Sequence, residues 1–105
     1  MADDVEDLIT QLTVATSMLE NVKEEFWAKW LQENLNMIRQ RNFRGVERLL
    51  SGFGGMGSFT DLVIHPINGH EILESQISSV NEQFAALRTK LYHLAIKIKH
   101  EVESE

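Results

Sequence analysis

The sequence predicts an all-α fold: a single-domain helical bundle of four main helices plus a short fifth, with a long C-terminal helix. Three observations predict it. Apolar residues recur at steps of three and four over most of the chain, which is the stripe of an amphipathic helix. Five of the six glycines and the only proline fall within residues 49–70, so the helix-breaking residues are concentrated in one segment. A chain of 105 residues, 43% hydrophobic and 25% charged, has the size and composition of one globular core.

The first helix is expected over residues 3–21, where Val5, Leu8, Ile9, Leu12, Ala15, Leu19 and Val22 mark the buried stripe. Asp3 and Glu6 have the spacing of a capping box, and Asp4 and Asp7 add negative charge at the positive end of the helix dipole. The phase of the stripe changes near Asn21-Val22-Lys23, so a break is expected there. A second helix over 24–41 carries Phe26, Trp27, Trp30, Leu31, Leu35 and Ile38. Trp27 and Trp30 share one face and are expected to anchor the core.

Asn42 is placed to cap a third helix over 43–51, with Phe43, Val46, Leu49 and Leu50 on its buried face and Gly52 as its left-handed terminator. A glycine-rich loop and short turn over 52–68 come next. There Ser58 and Asp61 suit the start of one more helical turn through Leu62-Val63-Ile64, while Phe53, Met56 and Phe59 are apolar enough to pin the loop to the core. The proline after His65 ends that segment. The last helix is expected over 69–102, with Asn68 as its cap, Glu71 completing a capping box, and Ile67 and Ile72 forming a hydrophobic staple. Leu73, Ile77, Val80, Phe84, Leu87, Leu91, Leu94 and Ile98 form its heptad seam, which fits the core of an intramolecular bundle or, alternatively, a homodimer.

Composition excludes several classes of function. Without cysteine there is no disulfide, thiolate catalysis or cysteine-ligated zinc. A formal charge of −6 repels a polyanion, so no nucleic acid is expected as a partner. No apolar run reaches the ~18 residues of a membrane span, so no membrane is expected either. The chain opens with acidic residues where a secretory signal would carry basic ones, which makes the cytoplasm the expected compartment.

Four of the ten basic residues, Arg39, Arg41, Arg44 and Arg48, lie within ten positions. They either pair with the sixteen acids or, with the glycine amides beyond them, hold an anion. Residues 52–57 match G-x-G-x-x-G in form, but a helix rather than a strand precedes them, so dinucleotide binding is not expected. No metal, cofactor or catalytic residue is assigned: His93 and His100 lack the spacing of a zinc helix, and no spacing joins His65 or His70 to Asp61 or Ser58.

At Gly54-Gly55-Met56-Gly57-Ser58-Phe59-Thr60-Asp61-Leu62-Val63-Ile64 the sequence resembles a family of small, uncharacterised bacterial proteins of about this length, in which a stretch like GGMGSF-x-DL joins two helical halves. The resemblance covers most of the chain and implies a bacterial origin and a signature site in this loop. This chain has Thr60 where relatives more often show Asn. The family supplies no activity.

The expected function is that of a small acidic protein-binding module, an immunity- or antitoxin-like or regulatory protein acting through the glycine-rich loop. The binding residues expected are Arg44, Arg48, Gly54, Gly55, Met56, Gly57, Ser58, Thr60, Asp61, His65 and Asn68. The alternative is a binder of a small anionic metabolite at the loop amides and adjacent arginines, or a minor enzyme.

Overall fold

The first helix, α1, runs Ala2–Asn21 and buries Val5, Leu8, Leu12, Ala15 and Leu19, the stripe the sequence carries. The structure is a computed structural model and describes residues 2–54 and 57–104. The helix begins one residue before Asp3, and the expected capping box is not formed. Glu6 instead takes a guanidinium from Arg41 at 2.7 Å, and Asp4 lies 3.3 Å from Lys97 near the other end of the chain.

The break after Asn21 is real. Lys23 adopts a left-handed backbone, φ 63°, and the chain reverses into α2, Glu25–Arg39. Glu24 caps α2, with its Oε2 accepting the Trp27 N–H at 2.9 Å. α2 buries Ala28, Leu31, Asn34, Leu35 and Ile38. A second left-handed residue, Arg41 at φ 60°, turns the chain into α3, Arg44–Ser51, whose buried residues are Gly45, Val46 and Leu49.

Gly52 comes directly after α3 but is not left-handed; its φ of −81° suits any residue. Space is what requires glycine here. A Cβ would lie 2.5 Å from Cη2 and 2.9 Å from Cζ2 of Trp30, whose indole is wedged against Trp27 and Phe59. Gly52→Ala is therefore expected to cost about 1–3 kcal/mol by overpacking, although the backbone angle itself tolerates alanine. Urea denaturation checks it, and a change below about 0.5 kcal/mol would mean that the indole yields.

After the loop, a 3₁₀ turn at Phe59–Asp61 stops at Leu62, so the helix expected through Ile64 does not form and Leu62–His65 runs extended. A second turn, Pro66–Asn68, ends at Gly69 with φ 86°, a left-handed position that only glycine adopts without strain. The last helix does not start at Gly69 either. Residues 70–73 stay non-helical, a 3₁₀ turn spans Glu74–Gln76, and α4 runs Ile77–Glu103.

Asn68 is therefore not its cap, and Ile67, at 84% exposure, forms no staple. Tertiary bonding overrides the local signal: the Glu71 N–H donates to the Val22 carbonyl at 2.9 Å, and His70 is held at Glu24. A helix begun at Gly69 would forfeit both.

α1 packs on α2 and α4, and α3 packs on the same two helices, so the contacts close into a ring of four. Because Lys97 meets Asp4 while Val22 meets Glu71, α4 runs antiparallel to α1. Phe84, Leu91, Ala95 and Ile98 are its buried residues, while Val80, Leu87 and Leu94 are half-buried and Leu73, off the helix, is 66% exposed. The seam is thus used within the chain, against α1 and α3. No strand occurs among the described residues.

Candidate functional site

The glycine loop lies against the bundle through aromatic rings. Phe59 is fully buried and touches Trp27 and Trp30 at centroid distances of 5.4 Å, Phe53 at 5.6 Å and Phe84 at 5.7 Å. The two tryptophans are half-buried and close the cluster from α2. Phe53 and Phe59 therefore pin the loop as their apolarity suggests; Met56, the third residue of that expectation, lies outside the described residues.

Two side chains of α4 then strap residues 59–64 to the helix. Arg88 donates from Nη1 to the carbonyls of Phe59 and Leu62, both at 3.1 Å, with its guanidinium 5.2 Å from the Phe84 ring centroid. Asn81 treats Ile64 as a neighbouring strand would: Oδ1 accepts the Ile64 N–H at 2.9 Å and Nδ2 donates to the Ile64 carbonyl at 2.8 Å. The extended segment thereby finds the backbone partners that an isolated strand lacks. Burial lowers the pKa of Arg88 from its ordinary value, and the nearby negative charge of Asp61 partly opposes that.

Farther along, residues 65–71 are sewn to the α1–α2 turn. His70 is buried, and its Nδ1 accepts the His65 N–H at 3.0 Å. The ring proton therefore sits on Nε2 and is donated to Glu24 Oε1 at 3.0 Å. The two oxygens of Glu24 thus serve two structures, the cap of α2 and the end of the strap.

The expected binding residues divide accordingly. Gly57, Ser58, Thr60, Asp61, His65 and Asn68 come together in the strap, where each has a polar atom bonded to another residue of the same segment. Asp61 Oδ2 accepts the Gly57 N–H at 2.7 Å, and the Ser58 and Thr60 hydroxyls share a hydrogen bond. His65 Nδ1 accepts the Ile67 N–H, and Asn68 Nδ2 donates to the Val63 carbonyl. Gly54 is exposed with open space around it; Gly55 and Met56 lie outside the described residues. A carboxylate of the chain itself thus holds the Gly57 amide that an anion was expected to use.

The arginines do not join this group. Arg48 reaches back to α2, 3.7 Å from Glu33 and 3.3 Å from Asn34 Oδ1. Arg44 borders a cleft with Ile98, Lys99 and Val102 at the far end of α4. The strap contacts α4 at residues 81–88, so at 1.5 Å per residue the two lie roughly 15 Å or more apart along the helix. Arg39 and Arg44 have no carboxylate partner among the described residues, whereas Arg41 and Arg48 do.

The strap exposes large apolar side chains beside the polar Thr60, Asp61 and Asn68. Val63 is 52% and Ile67 84% exposed, and beside the joint with the α1–α2 turn stand Leu73 at 66% and Phe26 at 70%. Phe26 packs edge-on to Trp27 at 4.9 Å and through it connects with the aromatic cluster. Sequence reasoning missed Glu24, Asn81 and Arg88 as the holders of this segment. The available signal was positional: Asn81, Phe84 and Arg88 succeed one another at steps of three and four, so two polar residues share a face with a core aromatic.

No helix among the described residues is long and apolar enough to cross a membrane, and no group of three or more metal-binding side chains occurs among them. No curated protein and no solved structure matches the chain. A family model matches residues 20–73, a span that takes in α2, α3, the glycine loop, the strap and the exposed residues Phe26, Val63, Ile67 and Leu73. With more than half of the chain inside that match, the protein belongs to the family described as a domain of unknown function (DUF6966).

Proposed function

We propose that this protein is a small acidic protein-binding module whose contact surface is the strap after the glycine loop, together with the first turn of α2. The observation that carries the reading is the group Phe26, Val63, Ile67 and Leu73. These are four large apolar side chains held in water by backbone that is itself bonded at Val22, Glu24, Asn81 and Arg88. Burying the remaining exposed part of each against a partner recovers up to about 1.5–3 kcal/mol, and a backbone already ordered loses little entropy on binding. Isolated exposed apolar residues need no such explanation, but three on one tethered segment, Val63, Ile67 and Leu73, with Phe26 in the first turn of α2, do.

The charge of −6 favours a partner with a basic face, since complementary charge speeds encounter. An immunity- or antitoxin-like inhibitor of a bacterial cytoplasmic effector, or a regulatory protein of that compartment, is the concrete form of the proposal. Within it, Thr60, Asp61 and Asn68 supply a polar rim, and Arg44 is peripheral.

A double variant, Phe26→Asp/Ile67→Asp, tests it. Ile67 is exposed and Phe26 gives up its edge contact with Trp27, so stability should fall by no more than about 2 kcal/mol in sum. Wild type captured from native cell extract at physiological salt should retain a partner that the variant loses, while an Arg44→Glu control retains it. The same proteins retained by wild type and double variant, or none by either, would sink the proposal.

A further inference from the structure

We propose that the cleft beside Arg88 binds a small carboxylate carried on a flat aromatic body. The cleft has a volume of about 300 Å³ and is lined by Phe53, Thr60, Arg88, Thr89 and Tyr92. That volume lies at the small end of the range for ligand sites. It shares Thr60 with the rim of the proposed contact surface and rests on none of Phe26, Val63, Ile67 or Leu73.

The reasoning starts from how Arg88 is held. Both of its hydrogen bonds leave from Nη1, to the carbonyls of Phe59 and Leu62. The Nε–H and both Nη2–H groups have no partner among the described residues. Those two nitrogens form the edge of the guanidinium that takes a carboxylate through two parallel hydrogen bonds. The carbonyls on one side and the Phe84 ring at 5.2 Å fix the group in place, so its rotamer freedom is already lost before a ligand arrives.

Chemistry of the walls narrows the class. Phe53 and Tyr92 stand 5.3 Å apart with their rings tilted by 51°, which offers an apolar surface to a planar body. Thr89 already donates its hydroxyl to the Ala85 carbonyl and Thr60 shares a hydrogen bond with Ser58, so the Tyr92 hydroxyl is the wall group that adds a polar contact. Among the described residues Arg88 is the only cation lining the cleft, and the Asp61 carboxylate acts on it electrostatically. One positive charge so offset suits a monoanion better than a phosphate dianion. Partial burial of the guanidinium strengthens a charge-assisted bond made there relative to one made in water.

A ¹H–¹⁵N NMR titration of the wild-type protein with benzoate tests this, run beside benzamide and inorganic phosphate. Benzoate should give saturable shifts centred on Thr60, Tyr92 and the Arg88 side-chain Nε–H. Benzamide, which keeps the ring and loses the charge, should bind at least about tenfold more weakly, and phosphate more weakly than benzoate. Tyr92→Ser, at an exposed position, should weaken benzoate several-fold without loss of fold. Arg88→Lys should abolish binding; if that variant unfolds, the wild-type Arg88 Nε–H shift carries the same information. Absent or unsaturable shifts, equal affinity for benzamide or phosphate, or shifts centred elsewhere would overturn the assignment.

Discussion

Replacing Phe59 by alanine is expected to lower stability by about 3–5 kcal/mol, among the largest losses open to a single substitution in this chain. The ring is fully buried and has four aromatic neighbours, two from α2, one from the glycine loop and one from α4. Its removal leaves a cavity where three elements meet, and the surrounding rings are too rigid to collapse into it. Aromatic pairs contribute a further ~0.5–1.5 kcal/mol each beyond area, so the upper part of the range is the better expectation.

A domain of this size has roughly 5–15 kcal/mol of stability in total, and a loss of this order lowers the melting temperature by about 15–30 °C. Urea denaturation monitored by tryptophan fluorescence reads the change directly, because Trp27 and Trp30 both touch the lost ring. Should Phe59→Ala not fold, Phe59→Leu, which keeps most of the apolar volume, gives a measurable intermediate loss. A cost below about 1 kcal/mol for the alanine variant would show that Phe59 is not the centre of the cluster.

Asn81→Ala is expected to cost about 2–4 kcal/mol, through unsatisfied backbone rather than through a cavity. Ile64 is fully buried, and the Asn81 side chain is the partner of both its N–H and its carbonyl. A third bond, from Nδ2 to the Ile77 carbonyl at 2.8 Å, ties the same amide to the first turn of α4. Alanine is a better helix former than asparagine and returns a few tenths of a kcal/mol, far less than two orphaned backbone groups lose.

Amide hydrogen exchange separates the mechanisms. Protection at Ile64 should fall much further than protection in α1, since the strap detaches before the bundle opens. Asn81→Asp should give no rescue, because a carboxylate keeps the acceptor for the N–H but faces two carbonyls with no donor. Unchanged exchange at Ile64 in the alanine variant would refute this account.

The four helices were legible because their signals are local and repeated. The stripe of α1, a break near Asn21-Val22-Lys23 and the apolar positions of α2 and α3 appear in the sequence with the periods that the structure uses, except Phe26, which the stripe of α2 places inward and the structure leaves 70% exposed. The strap was legible only as an interruption. Ser58 and Asp61 read as a helix start, yet they bond to neighbours within a single 3₁₀ turn. Ile67, Asn68 and Glu71 read as a complete helix entry, yet each is used otherwise: Ile67 faces solvent, Asn68 bonds Val63 and Glu71 bonds Val22.

The sequence marks the glycine-rich segment as the interruption between helices, but not the side chains that hold it. The clustered arginines suggested one patch, and the structure divides them between Glu6 and Glu33, with Arg44 left at the far end of α4.

What the sequence by itself determined, then, is the all-α class, four helices, one core stripe on each of them and the place where the helices stop. Helix propensity and amphipathic period act over a few residues, and they agree with burial wherever a helix has one apolar face. Only the tertiary structure decided where α4 begins, which glycine is held by space rather than by angle, and which side chains hold the strap. The partners concerned, His70 with Glu24, Asn81 with Ile64 and Arg88 with Phe59, are 46, 17 and 29 residues apart. A hydrogen bond to a buried backbone group outweighs a local capping preference of about 1 kcal/mol, and no pattern within a helical turn can report a partner that far away.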